Sequence, residues 1–456
     1  MSTENKVTVD SAANIEHTDT LAPIPAEKRI LGLPSYTFMW LGGCISIGTF
    51  TLGSSYASSG LNLIQIAIAI CLGSLILIAG LVLNDKMCYT TGIPYVYQLR
   101  NSFGAKGSVL PAVLRALPAL IWFGVQSWLA GSALNEVSKT LFGWNNMIFW
   151  FVAFQLLQLV LALTGFKGIK WVENVGACFI ICALFYMFYV CMSQYGDVIG
   201  EKLLNIEGTW GMPFISAIVS FLGVNILVMC NCGDYARELK VGYGAGKRTL
   251  SYFLAMVPTT LFMGLIGMMI STATGIANPI VAFSSAVENK FLVVVTLIFI
   301  IFAQMTTNLL SNAIPPVYAL MDICKLKHAP SVIITCILTV CTFPWLLVSE
   351  QSAAGLDLFV LLYTVFFGPV AAIMLVDYYL IRKRKVDVSE LYKQDGKFSG
   401  VNWAAIAAVA VGAAVGFINV SMSFFISFIP TALVYYFVLK NSKKLENFRY
   451  GSIFEK

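Results

Sequence analysis

Charge is what this 456-residue chain has least of. Asp, Glu, Lys and Arg make up 11% of it, where soluble domains carry about 25%. Histidine occurs only twice, and the eleven cysteines include no Cys-x-x-Cys pair. These shortages argue against a zinc site and a disulfide framework. Cys44, Cys71, Cys178, Cys182 and Cys336 lie in apolar runs, where a thiol packs as a small hydrophobe. Cys230-Asn231-Cys232 is the tightest spacing, with no histidine nearby to complete a metal set. Nothing resembles a catalytic triad or a phosphate loop, so the chain reads as neither an enzyme nor a cofactor protein. Residues 1–34 are polar and of mixed charge, without the apolar run of a signal peptide, and are expected to form a solvated cytoplasmic tail.

What the chain has instead is apolar length. Hydrophobic residues make up 58% of it and the mean hydropathy is +0.80. Crossing roughly 30 Å of hydrocarbon takes about 20 residues. Twelve segments qualify, at about 36–57, 62–83, 107–135, 145–164, 171–194, 212–232, 250–275, 291–314, 331–348, 357–380, 401–420 and 423–440. This predicts an all-α polytopic membrane protein with the lipid bilayer as its solvent. Placing both termini in the cytoplasm puts 26 of the 29 basic residues inside, all but Lys139, Lys202 and Lys290. The net charge of +6 is then a topology signal, with Arg382-Lys383-Arg384-Lys385 beside anionic lipid, and not a nucleic-acid surface. The expected location is the cell membrane. The polar stretch 382–400 divides a core, 35–381, from a last pair of spans, 401–440, with 441–456 as a cytoplasmic tail. Ten spans before the division fit two inverted repeats of five.

Polarity inside the spans is concentrated. In Phe302-Ala303-Gln304-Met305-Thr306-Thr307-Asn308-Leu309-Leu310-Ser311-Asn312, five of eleven side chains carry a hydroxyl or an amide, and Gln304 is a sixth. On a helix, Ala303, Thr306 and Thr307 share a face, as do Asn308 and Asn312. The first set offers neutral oxygens suited to a small hard cation, and the second offers amides suited to a planar polar solute. Interhelical glue is the competing reading for any one such residue. Trp122 and Gln126, again one turn apart, pair a ring face with an amide edge. Two segments are suited to breaking: Gly42-Gly43 with Ser46-Ile47-Gly48-Thr49, and Gly223-Val224-Asn225 with Asn231-Cys232-Gly233. Broken helices in lipid belong where they line a cavity. Carboxylates are missing from the middle of the spans: Asp85, Asp234 and Asp377 fall at expected cytoplasmic ends near basic residues, and Glu136 at an outer end. A neutral cage favours Na⁺ as coupling ion, with H⁺ the alternative.

At these residues the chain resembles the nucleobase–cation symporter family of bacterial cytosine, allantoin and hydantoin permeases. The resemblance runs from about Leu31 to Lys440. It rests on Ile121-Trp122-Phe123-Gly124-Val125-Gln126, Met305-Thr306-Thr307-Asn308, Gly233-Asp234-Tyr235-Ala236-Arg237, Asp377-Tyr378-Tyr379, and Val388-Ser389-Glu390-Leu391-Tyr392 before Val401-Asn402-Trp403. It implies twelve transmembrane helices, as two inverted five-helix repeats (LeuT-like) plus two C-terminal helices, working by alternating access with Na⁺ or H⁺; a monomer is expected. It implies a cation site from the carbonyls of Gly42, Ile45 and Ala303 and the hydroxyls of Thr306 and Thr307. The substrate site it implies uses Trp122 for stacking and Gln126 and Asn312 for hydrogen bonds, with Asn308 as a further contact. The expected partner is a nucleobase-like small molecule. One departure stands out: Asn225 occupies the position where relatives carry a second stacking aromatic, with Phe221 one turn earlier as a substitute.

Overall fold

A computed structural model describes residues 20–45, 47–276, 290–347 and 353–455, with Ala282 and Ser285. Among the described residues the structure is helical, and the one β-bridge joins Leu31 to Leu239. The first expected span is two helices, α1 (Leu33–Cys44) and α2 (Ile47–Ser55), parted at Ile45. Ser46 lies outside the described residues. α3 (Leu63–Thr91) starts at an Asn62–Gln65 capping box and stops at Gly92, whose φ of 78° is the left-handed C-cap glycine allows. It is followed by α4 (Tyr95–Phe103), α5 (Val109–Phe142), α6 (Met147–Leu163) and α7 (Gly165–Ile199). The sixth span divides into α8 (Met212–Val224), α9 (Ile226–Cys230) and α10 (Gly233–Ala236), interrupted at the Asn225 and Asn231-Cys232 positions.

Next come α11 (Ala245–Thr274) and α12 (Lys290–Thr307). α12 runs through a π-helical turn, Asn308–Ala313, into α13 (Ile314–Ile323). α14 (His328–Val340), α15 (Pro344–Leu347) and α16 (Ala353–Leu375) follow, and α16 ends in another π turn, Val376–Ile381. α17 (Val388–Tyr392), α18 (Trp403–Gly416) and α19 (Ser423–Asn441) complete the chain. Six helical runs among the described residues are long and apolar enough to cross a membrane, including Leu63–Thr91, Val109–Phe142 and Lys290–Ile323. Ile64, Leu75, Leu117, Leu433 and Phe437 are exposed apolar side chains on such helices, as expected when the solvent is hydrocarbon.

α1, α2 and α3 pack on α11, α8 packs on α3, and α5 lies beside α12 and α13. α18 and α19 pack on each other and on α16. The α2–α11 contact is backbone to backbone. A Cβ on Gly53 would meet the Gly264 carbonyl at 2.0 Å, and one on Gly267 would meet that of Phe50 at 2.1 Å. Close approach of this kind replaces the hydrophobic driving force that lipid cannot supply.

Three polar segments are packed against the helices, the first of them against expectation. Residues 20–32, read from the sequence as solvated tail, are packed: Leu21, Arg29 and Leu31 are buried. Leu31 N donates to Glu238 O at 2.9 Å and Arg29 Nη1 to Tyr89 O at 2.6 Å. In the 382–400 stretch, Tyr392 stacks on Tyr97 with centroids 3.8 Å apart, and Phe398 is buried. The C-terminal segment also folds back, with Arg382 donating to the carbonyls of Phe448 and Tyr450. Helix ends leave unpaired carbonyls; Arg29 covers Tyr89 O and Ile453 N donates to Ile381 O at 2.9 Å, while the middle segment is held by its rings.

Candidate functional site

The helix break at Ile45 brings carbonyls to the polar face of α12. Gly42 and Gly43 lower helix propensity there, and Ile45, at φ −81° and ψ 99°, takes the chain out of the helix. A Cβ on Gly43 would meet Leu310 Cδ2 at 2.3 Å, so glycine permits this approach. Thr307 Oγ1 donates toward Gly42 O at 2.9 Å and also contacts Ile45 O. Thr306 Oγ1 contacts Ala303 O at 3.0 Å and Gly42 O at 3.4 Å. Three carbonyls and two hydroxyls thus converge in a buried cluster. The hydroxyl–carbonyl distances, 2.9, 3.0 and 3.4 Å beside the shorter Thr307–Ile45 contact, are those of direct hydrogen bonds among oxygens crowded at one point. No carboxylate belongs to the cluster, and among the described residues no group of three His, Cys, Asp or Glu side chains forms an alternative metal site.

The amide cluster begins one residue further on. Asn308 Nδ2 donates to Phe123 O and to Ser127 Oγ, both at 3.0 Å. A carbonyl can only accept, so this contact fixes which end of the Asn308 amide faces α5. Asn308 Oδ1 then accepts from Asn312 Nδ2 at 2.9 Å, and the same nitrogen donates to Gln126 Oε1 at 3.2 Å. Both Asn312 donors are used. What remains for a ligand is one acceptor, Asn312 Oδ1, and one donor group, Gln126 Nε2. Trp122, on the same α5 face, is half-buried and donates its indole Nε1–H to Tyr363 OH at 3.4 Å.

Not every expected residue joins this cluster. Asn225 caps the end of α8 at φ −108° and ψ 6°, and its side-chain amide has no hydrogen bond among the described residues. Phe221 is buried against Tyr56, with ring centroids 5.8 Å apart. No ring contact or hydrogen bond links either to Trp122, Gln126, Asn308 or Asn312.

Sequence reasoning missed the supporting residues. Ser127 Oγ donates to Gln155 Oε1 at 2.7 Å behind Asn308. Arg115 Nη2 donates to Ser311 O at 2.7 Å, and Tyr235 OH to Leu310 O at 2.7 Å. These carbonyls are available because the π turn disrupts the α-helical ladder and because Pro315 and Pro316 have no N–H to give. The Pro315-Pro316 pair, three residues after Asn312, was the sequence signal for this. Two of the carboxylates at helix ends are ion-paired: Asp85 receives Arg248 Nε and Nη2 at 3.0 Å each, and Asp377 receives Arg382 Nε at 2.8 Å; Asp234 instead accepts from Tyr95 N at 2.7 Å.

Comparison with known proteins follows the same lines. The family model described as permease for cytosine/purines, uracil, thiamine, allantoin matches residues 23–439. The hydantoin permease of Microbacterium maritypicum is 29% identical over 430 residues, 91% of this chain and 87% of that one. The allantoin permease of Bacillus subtilis is 25% identical over 433 residues, 88% of this chain and 86% of that one. Mhp1, a nucleobase-cation-symport-1 family transporter, matches in its closed, bromovinylhydantoin-bound form with a TM-score of 0.84 and 27% identity, covering 95% of this chain and 99% of that one. Its inward-facing form matches with a TM-score of 0.80 at the same identity, covering 96% and 98%. A Na⁺-coupled sialic acid symporter at 12% identity and TM-score 0.65, over 90% of this chain and 89% of that one, shares the fold, which is LeuT-like. With a family model matched over most of its length, the chain belongs to the nucleobase:cation symporter-1 family of multi-pass membrane permeases.

Proposed function

We propose that this protein imports a planar heterocycle of the hydantoin, allantoin, uracil or purine type together with Na⁺. The observation that carries the substrate reading is the fixed polarity of the amide cluster. A ring lying on Trp122 meets Gln126 Nε2 as donor beside Asn312 Oδ1 as acceptor, and a lactam edge offers the complementary C=O and N–H. Hydantoins, allantoin and uracil all carry such an edge. Asn225 adds a polar group where relatives stack a second ring, which favours a solute more polar on that face. Na⁺ is held by the oxygens of Gly42, Ile45, Ala303, Thr306 and Thr307. Because Thr307 and Asn308 are adjacent, an ion that draws α1 onto α12 also fixes the amides, and coupling of this kind is reciprocal.

The transport body is twelve spans, as two inverted repeats of five plus two C-terminal helices, working by alternating access as a monomer. Both termini face the cytoplasm of the cell, as the distribution of Lys and Arg requires. The test is uptake into proteoliposomes of radiolabelled hydantoin, allantoin, uracil and hypoxanthine under an inward Na⁺ gradient. Uptake that collapses when choline replaces Na⁺ is expected. Undiminished uptake in choline with a proton gradient assigns H⁺ as the coupling ion, and no uptake of any of the four overturns the substrate class.

A further inference from the structure

Below the amide cluster lies a second polar network to which the binding chemistry gives no role. Arg115, in the first third of α5, is 1% exposed. Its Nε donates to Asn231 Oδ1 at 2.9 Å and its Nη2 to Ser311 O at 2.7 Å, while Nη1 has no hydrogen-bond partner among the described residues. Asn231 Nδ2 donates to Tyr235 OH at 3.1 Å and lies 3.4 Å from Asp234 Oδ2, and Tyr235 OH donates to Leu310 O. Asp234 Oδ1 accepts from the Tyr95 backbone at the start of α4. Four segments meet here: α5, the break between α9 and α10, the π turn, and α4. Among the described residues no carboxylate lies within ion-pair distance of Arg115; the nearest negative charge is reached through the Asn231 amide.

A guanidinium so placed is expensive to keep dry. Burying a charge with incomplete pairing costs several kcal/mol, and the partners of this one among the described residues are a neutral amide oxygen and a backbone carbonyl. Packing alone is served as well by leucine or methionine. The arrangement makes sense if the guanidinium is dry only in one state of the protein and wet in another. Its position supports that. Ser311 stands between Asn308 and Asn312 in the chain, and Leu310 next to it is held by Tyr235, so the network grips the turn that carries the ligand amides. On its other side it grips the interruption in the sixth span.

We infer that Arg115 is a positioning residue that latches this end of the transporter shut, by tying the π turn of α12–α13 to the Asn231–Tyr235 segment. In the closed state it bridges Ser311 O and Asn231. When the two segments part, water enters and solvates the charge, which offsets the bonds given up. A ligand that orders Asn308 and Asn312 stabilises the turn Arg115 holds, so occupancy and closure favour each other. This rests on the alternating-access reading above.

Two cysteines flanking Asn231 give a native reporter. Cys230 and Cys232 are both 0% exposed, as is Cys191 on α7, away from the network. The experiment is peptide-resolved N-ethylmaleimide labelling of purified full-length protein in Na⁺, with and without hydantoin, alongside melting temperature. Each bond to the guanidinium belongs to the stronger, charge-assisted class. Arg115→Gln is therefore expected to raise the labelling rate of Cys230 and Cys232 at least about fivefold with Cys191 unchanged, and Arg115→Lys to restore part of the protection. Tyr235→Phe removes one hydroxyl only, so it tests the same latch if Arg115→Gln does not fold, and is expected to give a rise of about twofold or more. Unchanged labelling at Cys230 and Cys232 in variants of normal melting temperature overturns the proposal, and so does a parallel rise at Cys191, which would make the residues merely structural. Labelling requires no transport. A rise at the two cysteines with no uptake of any heterocycle leaves the latch standing and removes the substrate reading; uptake with unchanged labelling does the reverse.

Discussion

Gln126→Leu tests the polarity of the amide cluster most directly. In the structure Gln126 Oε1 accepts from Asn312 Nδ2 at 3.2 Å, and Nε2 is left for the ligand. Leucine keeps the volume and removes both. Asn312 retains its bond to Asn308 at 2.9 Å, so the cluster loses one arm and not its frame. The larger loss falls on the ligand, whose carbonyl enters a dry pocket unpaired, at a cost of about 1–3 kcal/mol. That corresponds to roughly 5- to 150-fold in Kd. The assay is calorimetric titration of hydantoin in saturating Na⁺, repeated with imidazolidin-2-one, which lacks one ring carbonyl. If Nε2 donates to that carbonyl, wild type loses affinity for the reduced analogue and Gln126→Leu discriminates far less between the two ligands. An equal loss for both ligands would assign Gln126 a general packing role. Hydantoin affinity within twofold of wild type, in protein of normal melting temperature, would refute the orientation argument from Phe123 O through Asn308 and Asn312.

Thr307→Ala removes a hydroxyl contacting two carbonyls of the cation cluster, and is expected to raise the Na⁺ concentration for half-maximal uptake at least about fivefold; an unchanged value in folded protein removes Thr307 from the site. Trp122→Ala is expected to weaken substrate binding by about 1–3 kcal/mol by analogy with base–aromatic stacking, with Trp122→Phe milder, and calorimetry showing neither loss would make the ring a packing residue. Asn225→Trp is expected to change the order of preference among hydantoin, allantoin, uracil and hypoxanthine in competition assays, and an identical profile would put Asn225 outside the pocket. Arg248→Met leaves the Asp85 carboxylate buried with the Tyr252 hydroxyl as its remaining side-chain partner, and is expected to destabilise by about 3–5 kcal/mol. Thermal unfolding should show that drop, largely recovered in Asp85→Leu/Arg248→Met; an unaltered melting temperature for Arg248→Met would mean the pair is hydrated.

The sequence alone determined the solvent of this protein, its helical character, and which side chains stand on a common face. Those follow from composition and from the helical repeat, which need no tertiary information. Ala303, Thr306 and Thr307 share a face because of their spacing, as do Trp122 and Gln126. The breaks near Ile45, Asn225 and Asn231 were legible too, because glycine and small polar residues weaken a helix wherever they stand. Tertiary structure decided what those faces meet. Gly42 and Ile45 reach Thr307 only because α1 lies against α12, and no local rule encodes that approach. The direction of the amide cluster depends on Phe123 O, a backbone atom indistinguishable in sequence from every other carbonyl. Arg115 read as one more basic residue in a topology count, and burial turned it into a hydrogen-bonded bridge. The tail at 20–32 read as solvated because its polarity is real; its donors and leucines are used by partners more than fifty residues away in the chain. Periodicity fixes what a helix offers on each face, while the partner on that face depends on contacts between distant segments, which only the folded chain contains.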